Sequence, residues 1–262
     1  MEAMQKVIDA INGNGRISYE DKIRLVDVIS EFYKRFPSVS LDNLCKNLRS
    51  LMGVEVGSKL VYKQAYEYSA AHNRIFMNRE QQNNPDVDLR HSLMKAVLAM
   101  ITQNSIYYGF NSDSRLEALN EGFSEILANN LVGNESRKSQ FEDEQILVNF
   151  VGKSVGFDKF AQAFFENNPE LLMKELLTKC SNLERLNDWL SQANHNLHTR
   201  NASGKSRLFN IQAQAMKMFD FDKEYLMSQR TMEAFSDHKY IDIDELEDLV
   251  KEQTHKWTRG GI

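Results

Sequence analysis

Leu119-Asn120-Glu121-Gly122-Phe123-Ser124-Glu125 lies within an apolar series, Leu116, Leu119, Phe123, Ile126, Leu127 and Leu131. Its steps of three and four are those of one helix face. Gly133 is a natural stop for that helix. Gly122 inside it costs about 1 kcal/mol against alanine, which points to close packing on a neighbouring helix. Thirty positions before Glu121 stands His91-Ser92-Leu93-Met94-Lys95. There Val87, His91, Met94, Leu98 and Ile101 also repeat at helical spacing, which puts His91 on an inward stripe with Lys95 one turn away. Asn84-Pro85-Asp86 opens this second helix with a capping residue, a proline and an acid, and it runs to about Ser105.

Outward from this pair the chain reads as mostly helical. Only three prolines and 12 glycines interrupt it. Leu25, Ile29, Phe32 and Phe36 mark an amphipathic helix between Ser18 and Phe36, ended by Pro37. A second helix follows Ser40 as N-cap, with Leu41, Leu44, Leu48 and Leu51 on one side. Residues 59–68 and 73–78 are rich in Val, Tyr, Ile and Phe and read as two short strands, although 59–71 also admits a helix. From Glu142 to Glu252 helical patterns continue, with loops near Asn167–Pro169 and Asn201–Lys205. The expected fold is mainly α with a small β-sheet, as one domain over 1–262. Its parts are N-terminal helices over 1–58, a strand and motif-helix core over 59–133 and a helical part over 134–262, with a weak boundary near 133–141.

The two stretches together carry a resemblance. Zinc peptidases place two imidazoles one helical turn apart and a carboxylate beside the first, giving H-E-x-x-H. In the gluzincin group the third ligand is a glutamate on a later helix, commonly within L-N-E-G-F-x-E. Leu119 to Glu125 resembles that pattern at each fixed position. Asn73 to Asn78 looks like the edge strand that precedes the zinc helix, and Gly109-Phe110 fits the connection between the helices. The resemblance covers roughly residues 59–133, and the layout is similar to small zincin-like proteins of bacteria. It implies a zincin-like helix pair with an edge strand and flanking helices.

It also implies a site with two losses. His91 matches the first ligand and Glu121 the third, with Glu125 one turn beyond. Ser92 stands at the general-base position, and a hydroxyl without an activating partner cannot take a proton from water near neutral pH. Lys95 stands at the second imidazole, and an ammonium cannot ligate. Two protein ligands, His91 and Glu121, are too few for a tight zinc site. Hydrolysis by the family's mechanism is therefore not expected, nor is a resident cofactor. Lys95 instead offers a cation at the former metal position, to pair with Glu121 beside a neutral His91. Outside this context, a histidine on an apolar stripe is more often packed core than ligand, and a lone glutamate is most often solvated.

Other signals exclude more than they assign. A net charge of −5 and a pI near 5.8 argue against a general nucleic-acid binder. No apolar stretch reaches the roughly 20 residues of a membrane span, and the first residues lack a signal-peptide pattern. Cys45 and Cys180 are 135 positions apart and read as reduced, packed thiols of a cytoplasmic chain. His195 and His198 could share a helix face but lack a third ligand, and read as a surface pair. Asp242 to Asp248 lacks the glycine and spacing of a calcium loop and reads as the acidic start of a last helix. No nucleophile elbow, phosphate loop or dinucleotide fingerprint is present.

The expected function is that of an inactive zincin-like protein, a pseudopeptidase that binds a protein or peptide partner. One alternative is a metal-dependent hydrolase with a non-standard site at His91, Glu121 and Glu125. A further alternative is a structural or regulatory helical protein. Neither substrate, partner identity nor oligomeric state is written in the sequence.

Overall fold

Ser18 opens the first of the expected helices. Its hydroxyl accepts from the Asp21 N–H, and two acids in the first turn complement the helix dipole. The computed structural model describes residues 2–57, 66–78, 88–133 and 141–199, together with 211, 214, 215 and 218. Over these residues the chain forms two compact units. One lies within Met1–Gly109 and Leu127–Gln140, the other within Phe110–Ile126 and Phe141–Leu246. The architecture is mainly helical with small sheets, as the apolar spacing predicts. The boundary expected near 133–141 falls largely outside the described residues.

The first unit begins with helices α1 (Glu2–Gly13), α2 (Tyr19–Arg35) and α3 (Asp42–Ser50). Leu25, Ile29, Phe32 and Phe36 are buried, as are Leu41, Leu44, Leu48 and Leu51, so both apolar stripes face the core. The cap of α3 sits one residue later than expected, at Leu41, although the Ser40 hydroxyl still accepts from the Asp42 N–H. Asn14 joins α1 to α3 by donating to the carbonyls of Leu48 and Leu51 at 2.9 Å each.

A three-stranded sheet follows, built from β1 (Val54–Gly57), β2 (Tyr66–Ser69) and β3 (Arg74–Asn78) in the order β1-β3-β2. β1 runs parallel to β3 with Val54 opposite Ile75, and β2 runs antiparallel with Tyr66 opposite Met77. Two expectations are corrected here. The strand expected over 59–68 is seen only from Tyr66, since 58–65 lie outside the described residues. The strand at 73–78 is central rather than an edge, because Val54–Gly57 supplies a parallel neighbour on its other side. Among the described strands the edges are β1 and β2.

Helix α4 (Leu89–Ile101) carries the His91 segment. The expected start at Asn84–Asp86 lies outside the described residues, and Asp88 is the cap that is seen, accepting from the N–H groups of Arg90 and His91. The helix ends at Ile101, short of Ser105. The reason lies in other parts of the chain. Asn47 Nδ2 takes the Met100 carbonyl at 2.9 Å, and Asn43 Nδ2 takes the Ile101 carbonyl at 3.0 Å. Ser105, with φ of 58°, then turns a short hairpin of β4 (Gln103–Asn104) and β5 (Tyr107–Tyr108). α4 packs against α2, α3 and β2, and every residue from His91 to Ile101 is buried.

A 3-10 turn (Ser114–Leu116) leads into α5 (Glu117–Val132), which contributes residues to both units. Gly133, with φ of 73°, ends it as expected and donates its N–H to the Asn129 carbonyl. The second unit continues with α6 (Glu142–Val155), α7 (Phe157–Glu166), α8 (Pro169–Cys180) and α9 (Leu183–Thr199). Its core is aromatic: the rings of Phe110, Phe123, Phe160 and Phe164 stand 5.4–6.5 Å apart. Asn167 in the left-handed region and Asn168 as N-cap of α8 form the loop expected before Pro169. Trp189 Nε1 donates to the Ile211 carbonyl, and Ile211, Ala215 and Met218 are buried at helical spacing. The loop expected at Asn201–Lys205 and the acidic run Asp242–Asp248 lie outside the described residues.

Candidate functional site

The sequence names five residues, and the fold deals with them in two groups. His91, Ser92 and Lys95 stand on the first two turns of α4 in the first unit. Glu121 and Glu125 stand one turn apart on α5, in the part that belongs to the second unit. All five are buried, with exposures of 5%, 5%, 8%, 3% and 2% in that order. Burial of two carboxylates and an ammonium is costly unless each is compensated, so these positions are not the solvated helix faces that charged residues usually occupy.

The first group is held at the start of its helix. The Asp88 carboxylate accepts from the His91 N–H at 3.1 Å and from the Arg90 N–H at 2.8 Å, which fixes the turn on which His91 sits. Arg90 faces outward and pairs with Asp27 of α2 at 2.7 Å. The far end of α4 is fixed by the asparagines of α3. A third amide extends that set, since Asn73 Nδ2 donates to the Asn47 carbonyl and to the Ser50 hydroxyl. Tyr68 of β2 bonds through its hydroxyl to Asn73 Oδ1 and Gln103 Oε1, and burial pushes its phenol well above the ordinary range.

The second group sits where two helices nearly touch. A Cβ placed on Gly122 would collide with the Glu144 carbonyl oxygen of α6 and lie 2.9 Å from Val148 Cγ2. The glycine therefore permits the crossing, as its place in a helix suggested. Asn120, fully buried, accepts from the Phe110 N–H at 3.0 Å and ties the incoming loop to the helix. The Ser124 hydroxyl donates to the Glu121 carbonyl. From α9, Asn194 Oδ1 accepts from the Ala118 N–H at 2.8 Å, an N-cap supplied from 76 residues away. His198 of α9 lies 3.0 Å from Glu117 Oε2 through Nε2, and His195 and His198 are both exposed.

Sequence reading missed one polar group in this unit. Glu144, Gln145 and Asn149 of α6 are buried beside the crossing. The signal was present: Glu144 is in register with Val148 and Val151, on the stripe that a solvated acid would avoid. The run Glu142-Asp143-Glu144 instead reads as an ordinary acidic first turn. Cys45 is buried, which pushes its thiol pKa up, and Cys180 is part-exposed, so the two cysteines are not equally packed.

Among the described residues no three His, Cys, Asp or Glu side chains are gathered into a set that could hold a metal ion. Ser92 and Lys95 stand on the same buried stretch of α4 as His91, three positions apart from one another. No helix among the described residues is long and apolar enough to cross a membrane. Comparison with protein-family models, curated proteins and solved structures finds no match to this chain.

Proposed function

We propose that this chain is a catalytically inactive zincin-like protein that works by binding a protein or peptide partner. The observation that supports this reading is the burial of Lys95 on the same inward helix as His91, one turn away. Lysine is at the position where the resemblance puts the second imidazole, so the helix would hold the motif's place without its pair of imidazole ligands. The test is metal analysis of the purified protein with and without added zinc. The expected result is no stoichiometric zinc and no cleavage of an unfolded protein offered as substrate. Stoichiometric zinc that disappears on His91→Ala would overturn the reading. The reverse experiment is as direct: Ser92→Glu with Lys95→His rebuilds H-E-x-x-H, and this double variant is expected to gain zinc that His91→Ala removes. A folded double variant that takes up no zinc would count against the resemblance.

A second reading, a structural or regulatory helical protein, is favoured by one observation. α4 is buried on all its faces from His91 to Ile101, as a central core helix would be. Under it, Ser92→Ala and Lys95→Met change stability alone. Under the first, they also lower affinity for the partner, under conditions where both variants remain fully folded.

A further inference from the structure

α2 carries a second stripe that its core packing does not use. Tyr19, Ile23, Val26, Ser30 and Tyr33 follow one another at steps of four, three, four and three. That is the alternation of the inner positions of a coiled coil, and it runs nearly the length of the helix. The core stripe of the same helix, Leu25, Val28, Ile29 and Phe32, is buried and lies about a third of a turn away. In the outer stripe Tyr19 is 78% and Ile23 54% exposed, and Val26, Ser30 and Tyr33 are half-buried. The Ser30 hydroxyl donates to the Val26 carbonyl at 2.6 Å, so it adds no unmet donor to the stripe.

The charges beside the stripe favour one occupant, a second copy of the same helix. Glu20, Asp27 and Lys34 stand along one flank at intervals of seven, acidic at the start of the helix and basic at its end. A second α2 laid antiparallel, with Val26 facing Val26, sets Tyr19 against Tyr33 of the other copy. It also sets Glu20 against Lys34 of the other copy, twice over by symmetry. Opposed helix dipoles favour the same direction. Asp27 meets its own copy at the centre, where Arg90 already balances it at 2.7 Å. We infer that this chain self-associates through the outer face of α2, as an antiparallel two-fold pair of helices. A helix of 17 residues is about 25 Å long, so the interface is small and the dimer exchanges with monomer. The contact does not depend on the function proposed for the His91 helix.

Sedimentation equilibrium of the full chain over a concentration series tests this. The wild type is expected to pass from monomer to dimer, and Ile23→Asp to weaken association by about tenfold or more with its melting temperature unchanged. Tyr19→Ser, at the more exposed position, should weaken it as well and separates association from folding. Glu20→Lys and Lys34→Glu should each weaken the dimer, and the double variant should restore it, because the swap rebuilds both attractive pairs. A wild type that stays monomeric up to about 1 mM would overturn the inference and leave the face to another partner. So would a dimer indifferent to Ile23→Asp and Tyr19→Ser, or single charge variants that the double variant does not rescue.

Discussion

Gly122 shows how one residue can oppose its own helix propensity. Alanine would favour the helix by about 1 kcal/mol, yet its Cβ has no room against the backbone of Glu144. Backbone yields less than a side-chain tip, so overpacking wins. Gly122→Ala should destabilise the protein by about 1–3 kcal/mol in denaturant unfolding. Gly13→Ala, where nothing stands within 4 Å, should be neutral or slightly stabilising. Asp113 gives the residue-scale prediction for pH. The Arg115 guanidinium, bonded to its carboxylate, holds Asp113 below the usual aspartate range. A depressed folded pKa means that the pair stabilises above the unfolded value, about 4, and that this contribution is lost as pH falls through the folded value. Asp113→Asn should therefore weaken the protein at neutral pH and flatten its acid limb. An unchanged stability difference between pH 3 and pH 7 would contradict this.

The ends of the helices divide into those written locally and those written elsewhere. α2 was legible because Ser18, its acids and its apolar stripe are all contiguous. The end of α4 was not, because its last carbonyls are taken by Asn43 and Asn47, more than fifty residues earlier. β1 was missed for a similar reason: a four-residue run becomes a strand only when β3 arrives to pair with it. At the candidate site, the inward placement of His91 and the packing role of Gly122 were legible from periodicity. The central position of β3 and the buried polar residues of α6 were not, since both depend on partners distant in sequence. Cap variants separate the two kinds of end. Asp88→Ala should cost about 1 kcal/mol through the lost cap. Asn47→Ala should cost about 1–3 kcal/mol, because the buried carbonyl of Met100 is left unpaired. Both are checked by equilibrium unfolding, and equal, near-zero costs would contradict the side-chain caps described for α4.

At the scale of the whole molecule, the proposed absence of a working metal centre has a thermodynamic signature. A ligand that binds only the folded state raises its stability by about 2.7 kcal/mol at a hundred times its dissociation constant. Zinc or a chelator should therefore leave the melting temperature unchanged, measured at matched protein concentration. A rise with zinc that His91→Ala abolishes would contradict the proposal. The second unit is also assembled from parts of the chain that are made at different times. The described residues of the first unit end at Gly133, whereas the second unit begins at Phe110 and needs helices as late as Thr199. On a ribosome, the first half of α5 therefore leaves the exit tunnel well before its aromatic partners. Phe123 stays without Phe160 and Phe164 until α7 has been translated, so the nascent chain carries a hydrophobic segment open to chaperones during that interval.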